Sequence, residues 1–186
     1  MIDVAQEAPD TVWLAGDEAS LYLQATLRVV WASRGHTPVI KLDPGRKCTH
    51  FYGALNLLSG QEVAVMQTPT MNAESSHLFL QKLLAAIPKA PIILLWDKAP
   101  WHRGPEIRQL LADNPRLQLI TFPTAAPDLN PQEHVWKATR QAVSHNHTSK
   151  QLDTLADDFE RHLTATSFPC SFLHKFDYPS ICMLFK

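Results

Sequence analysis

The 186 residues have the length of one domain, and 45% hydrophobic side chains supply enough apolar surface for a substantial core. A formal net charge of −1 and a pI near 6.7 leave no global basic footprint, so any contact with a polyanion has to be local. No run reaches the ~18 apolar residues of a membrane span, the opening MIDVAQEAPD lacks the parts of a secretory signal, and the three cysteines form no CxxC pair. The expectation is a cytoplasmic protein with reduced, mostly buried thiols and no membrane partner.

TVWLAGD is β-branched and apolar and ends in acid, which predicts a short buried strand finishing near Asp17. LRVVWA reads as a further short strand, and RGHTP and KLDPGRK, with turn residues and basic groups, read as loop. HFYGALNLL, SGQ and EVAVMQT make a hairpin of two strand-like runs joined by a Ser-Gly turn. Asn72 caps a helix with Leu80, Leu83, Leu84 and Ile87 on one face, ended by Pro88 and Pro91.

PIILLW has the unbroken apolar pattern of a strand buried on both faces, and it delivers Asp97 at its carboxyl end. Gly104 and Pro105 open a helix with Ile107, Leu110 and Leu111 inward, and LQLITF follows as a strand. The loop PTAAPDLNP leads to a helix starting at Asn130 and Pro131, with Val135, Ala138, Thr139, Ala142 and Val143 as its apolar stripe. A last helix keeps Leu152, Leu155, Ala156, Phe159 and Leu163 in register; beyond Phe168 the tail is aromatic and proline-punctuated and takes no assignment. A three-strand meander followed by alternating helices and strands implies an α/β fold, a mixed sheet with helices on its faces. Sites in such sheets gather at strand carboxyl ends, where Asp17 and Asp97 are both expected.

Three carboxylates on separate elements, Asp17, Asp97 and Glu133, have the chemistry to hold two magnesium ions, because hard cations choose oxygen ligands and keep positions for water and phosphate. Each acid has a plainer alternative. Asp17 caps a turn, with Glu18 beside it as the working acid; Asp97 caps the turn after its strand. Glu133 completes a capping box with Asn130 or pairs with Lys137 one turn on.

His102, five residues past Asp97, is placed either to touch a phosphate or position the acid, or to make a structural hydrogen bond. His145 and His147 resemble a metal pair without a third partner and read as surface residues at a helix end. Arg28, Arg34, Lys41, Arg46 and Lys47 either line a groove or are scattered solvated charges.

WDKAPWH and FPTAAPDLNPQEHVWK together resemble the catalytic domain of bacterial insertion-sequence transposases related to the mariner group, the DDE superfamily endonucleases. The family pattern of a strand-ending Asp with a His-containing stretch, then a proline loop, Leu-Asn-Pro, Glu and Trp, is met by Asp97, His102, Pro123, Pro127, Asp128, Leu129, Asn130, Pro131, Glu133 and Trp136. Asp17 and Glu18 stand where that family has its first acidic pair, followed by Trp31, Arg34, Gly35 and Pro38 and by Gly53-Ala54. The likeness covers about residues 11 to 145.

The resemblance implies an RNase H-like fold, with Asp17 rather than Glu18 as the first catalytic acid beside Asp97 and Glu133. It implies two Mg²⁺ ions with Mn²⁺ tolerated, hydrolytic cleavage at transposon ends and attack of the freed 3′-hydroxyl on target DNA. Glu18, Lys98, His102 and Asn130 are then candidates for phosphate contact or support of the acids. Lys98 departs from the family, which has Asn there, and sets a cation beside Asp97.

The domain organisation expected is 1–165 as the catalytic domain and 166–186 as a tail, without the helix-turn-helix reader that precedes the domain in the family. Such a reader would come from a separate product, unless the chain is a fragment or a decaying element. DNA ends and target are the expected partners, with a second copy to hold paired ends. A structure-selective nuclease on the same fold and a catalytically inactive interaction module are the competing functions.

Overall fold

The computed structural model describes residues 10–24, 32–36, 39, 46–123, 129–169 and 177. Its centre is a five-stranded sheet of β1 (Val12–Tyr22), β2 (Cys48–Asn56), β3 (Glu62–Thr68), β4 (Ile92–Trp96) and β5 (Leu117–Thr121), in the order β3-β2-β1-β4-β5. The first three strands form the antiparallel meander read from the sequence, while β4 and β5 run parallel to β1. Four α-helices are described: α1 (Ala73–Ala86), α2 (Pro105–Asp113), α3 (Pro131–Thr139) and α4 (Leu152–Ala165). LRVVWA falls almost wholly outside the described residues, as do Arg28, Trp31, Pro38 and Lys41.

The central strand does not finish at Asp17. Pairing with β2 continues from the Asp17–Gly53 rung to the Tyr22–Cys48 rung, because Ala19 and Leu21 carry on the alternation begun by Trp13 and Ala15 and stay buried on the same face. The parallel neighbour is shorter. β4 meets β1 only over Val12–Ala15, so Asp17 lies where one flank of the strand is left open.

Each face of the sheet has its own core. Trp13, Ala15, Phe51 and Leu55 pack under α3 and α4 through Val135, Trp136, Leu155, Phe159 and Leu163. On the other face Leu14, Tyr52, Ala54 and Trp96 meet Phe79, Leu80 and Leu83 of α1 and Ile107 and Leu110 of α2. Fully burying one such large side chain contributes roughly 1.5–3 kcal/mol, so every helix is fixed mainly by its apolar face. The start of α1 is also fixed locally: Asn72 accepts from Ser75 N at 2.8 Å and gives its own N–H to Ser75 Oγ at 2.9 Å, a reciprocal cap. Past α4 the chain returns to the hairpin, where Phe168 is buried and donates its N–H to the Gly60 carbonyl.

Helix α3 turns a different face to the sheet from the one its alanines suggest. Ala138 and Ala142 are exposed, and the buried set is Pro131, Gln132, Val135, Trp136 and Thr139, followed by a π-helical turn over Arg140–Ser144. The reason is a space left by Gly53: a Cβ there would stand 2.7 Å from Cη2 of Trp136, and the indole occupies that room. Gly53→Ala is therefore expected to push α3 off the sheet and lower stability by about 1–3 kcal/mol, read from denaturant unfolding.

Candidate functional site

Successive side chains of a strand point to opposite faces, so Asp17 and Glu18 serve different sides of β1. Asp17 faces α3. It is 8% exposed, and its Oδ2 accepts from the Trp136 indole N–H at 3.1 Å. Burial first, then the charges of Glu133 and Glu18, push its pKa up to about 8. The electrostatic coupling to Glu133 brings the start of α3 into the surroundings of Asp17, although the two acids are far apart in the chain.

The start of α3 is held from two sides. Asn130 Oδ1 accepts from Gln132 N at 3.1 Å, capping the helix, and Asn130 Nδ2 donates to the Gly16 carbonyl at 3.4 Å. Glu133 sends its backbone N–H to the Asn130 carbonyl at 3.2 Å, but its side chain does not complete the capping box. Among the described residues it forms no ion pair with Lys137 either, and it is exposed.

On the opposite face the Glu18 side chain is 5% exposed, with Oε1 accepting from Trp96 Nε1 at 3.1 Å and meeting His102 Nε2 at 2.8 Å. Burial raises its pKa and the His102 contact opposes that rise. Asp97 follows β4 directly; its Oδ1 accepts from Ala99 N at 2.9 Å and meets His102 Nδ1 at 3.0 Å. Counting two residues on from the Ala15–Leu95 rung along each parallel strand reaches Asp17 and Asp97. Glu18, Asp97 and His102 offer ligand-capable atoms that all lie within 4.8 Å of one another.

The expected acids therefore fall into two neighbouring groups. Asp17 is grouped with Glu133, and Asp97 with Glu18 and His102. Glu18 links them, since its charge acts on Asp17 and the Asp97 charge acts on it. Lys98 is exposed and its carbonyl accepts from Arg103 Nη2 at 2.7 Å, while Arg34, Arg46 and Lys47 are exposed as well. His147 Nδ1 accepts from Ser149 N at 3.1 Å, and neither it nor His145 joins a metal-capable group among the described residues.

One acid with a buried carboxylate had no signal in the sequence. Glu62, beside the hairpin turn, looks like a solvated residue, yet it points under α3 and accepts from Gln132 Nε2. Burial pushes its pKa up to about 8, whereas an ordinary glutamate titrates near 4.5. Between those pH values the unfolded chain has lost this proton and the folded chain keeps it, so stability falls as pH rises from about 4.5 to about 8. Glu62→Gln is expected to match the parent near pH 5 and to exceed it near pH 8 by a few kcal/mol, a difference thermal melts at both pH values would show.

Residues 12–156 match the DDE superfamily endonuclease family. A 39 kDa protein of insertion element IS630 from Shigella sonnei is 28% identical over 158 residues, spanning 82% of this chain and 44% of that protein. The Mos1 transposase paired-end complex with left transposon end superposes with a TM-score of 0.69 at 18% identity, covering 92% of this chain and 54% of that one. The catalytic domain of Mos1 mariner transposase gives a TM-score of 0.64 at 17% identity, over 92% and 80% of the two chains. This chain thus spans about half the length of the longer relatives, and the shared part is an α/β RNase H-like fold. Because the family match runs through residues 12–156, most of the chain, the chain belongs to the DDE superfamily endonucleases.

Proposed function

We propose that this chain is the catalytic domain of a DNA transposase, which cleaves strands at the ends of an insertion sequence and joins them to target DNA. Asp17, Asp97 and Glu133 are the carboxylates that hold its divalent cations, two Mg²⁺ ions, with Mn²⁺ as a substitute. The observation that carries this reading is the crowding around Asp17: a buried acid, its pKa raised to about 8, under the charges of Glu133 and Glu18 where β4 leaves its flank open. Carboxylates set against one another in this way gain most from a hard cation, and three oxygen-donor groups fit Mg²⁺ chemistry. Solved complexes of the Mos1 relative include one with Mn and one with Mg.

When bound, such cations supply activation of the attacking hydroxyl and charge neutralisation at the leaving oxygen. The protein supplies the frame. Asp17 and Asp97 come from neighbouring parallel strands, Glu133 comes from the start of α3, and Asn130 ties that start to the backbone of β1. Lys98, exposed beside Asp97, is the local cation for a DNA phosphate. A second copy of the chain pairs the two ends, a separate helix-turn-helix product reads their sequence, and the work takes place in the cytoplasm.

The test is a strand-transfer assay with a precleaved insertion-sequence end and a plasmid target in Mn²⁺ or Mg²⁺. Joined product is expected. Cutting without joining identifies a nuclease on the same fold, and absence of both reactions in either metal contradicts the proposal.

A further inference from the structure

His102 is held more completely than any other polar side chain near the acids. Its Nε2 meets Glu18 at 2.8 Å, and its Nδ1 sits between Asp97 Oδ1 at 3.0 Å and the Asp97 backbone carbonyl at 3.3 Å. The ring lies on the Trp96 indole with centroids 3.6 Å apart and planes 25° apart, and Trp101 closes its edge. The residue is 7% exposed. Both ring nitrogens being engaged and the face covered, neither is left open to ligate a cation or to donate to a phosphate.

Asp97 is in the reverse position. Its side chain is 49% exposed, yet both of its contacts, from Ala99 N and from His102, converge on Oδ1. Oδ2 is left without a bond among the described residues. A half-exposed carboxylate would otherwise rotate freely, and here one oxygen is tied while the other keeps no partner among the described residues. The tie leads through His102 to the Glu18 carboxylate on β1, itself fixed by the Trp96 indole N–H.

We propose that His102 and Glu18 are positioning residues that fix the orientation of Asp97 so that Oδ2 is presented to a divalent cation, and that His102 is not itself a ligand. The proposal rests on the metal-holding role given to Asp97 above. Groups that orient a ligand from behind typically set metal affinity by about 10–100-fold, and ligands with locked rotamers hold cations better than free ones.

The two ring nitrogens can be mimicked one at a time. His102→Asn places an amide donor near Nδ1 and keeps the tie to Asp97. His102→Gln places the donor near Nε2, which keeps Glu18 and frees Asp97. Mn²⁺ affinity of the full chain, measured by the loss of the free-ion electron paramagnetic resonance signal, should be close to parental for His102→Asn. For His102→Gln and His102→Ala it should be weaker by about 10–100-fold. Thermal melts without metal report whether each variant is folded, and the Asn and Gln variants serve if the Ala variant is not.

Unchanged affinity in folded His102→Ala overturns the proposal, and so does equal weakening of the Asn and Gln variants. Nitrogen hyperfine coupling on bound Mn²⁺ that vanishes in His102→Ala overturns it too, by making the imidazole a ligand. A parent chain that binds no Mn²⁺ overturns the metal reading first and this proposal with it, which separates the two failures.

Discussion

Asp97→Asn is expected to reduce Mn²⁺-supported DNA cleavage by at least about 10³-fold, since a ligand to a catalytic cation carries several kcal/mol of transition-state stabilisation and each ~1.4 kcal/mol is tenfold in rate. The fold should survive. An asparagine oxygen can still accept from Ala99 N, and the apolar strand Ile92–Trp96 behind it is untouched. What is lost is the anionic charge offered to a cation. Single-turnover cleavage beside a thermal melt separates the two effects, and an asparagine variant that cut DNA at the parental rate would remove Asp97 from the site.

Asp17→Asn should act in opposite directions on stability and activity. Free of metal, burial and the acids beside it push the Asp17 carboxyl from 3.8 up to about 8. The unfolded chain releases that proton from about pH 4 upward and the folded chain does so only near pH 8, so the folded state loses stability across that window. An asparagine removes the penalty and can keep accepting from Trp136 Nε1. The metal-free melting temperature near pH 8 is expected to rise by about 5 °C or more, equivalent to a few kcal/mol in a chain of this size.

The same substitution should abolish stabilisation by metal. A parent chain with cation at ~100 times its dissociation constant gains about 2.7 kcal/mol, and the variant should gain little of it. Melts with and without Mg²⁺ give both effects in one experiment. Stabilisation of the variant equal to that of the parent would place the cation elsewhere.

Much of this framework was legible from local pattern. The Asn72 cap, the Ser-Gly hairpin and the apolar run that ends at Asp97 each depend on residues close in sequence, and periodicity is enough to place them. The length of β1 was not legible, because its second half is a strand by virtue of pairing with β2, which begins at Cys48. Nor was the face of α3. Its alanines suggest one stripe, while the cavity over Gly53 selects Gln132 and Trp136 instead.

The site divides along the same line. Alternation already tells that Asp17 and Glu18 point to opposite faces, but the engagement of Glu18 with His102 is a contact across 84 positions that no spacing rule contains. Glu133 offers the clearest case of local ambiguity. The cap and the Lys137 pair were both available to it, and neither is formed among the described residues, while its charge acts on Asp17.

A crystal of the full chain soaked in Mn²⁺ and measured at the manganese absorption edge tests the centre of this account. Anomalous peaks in contact with oxygens of Asp17, Asp97 and Glu133 are the result expected. Manganese bound only at other residues, or no peak near these three at millimolar metal, would contradict it.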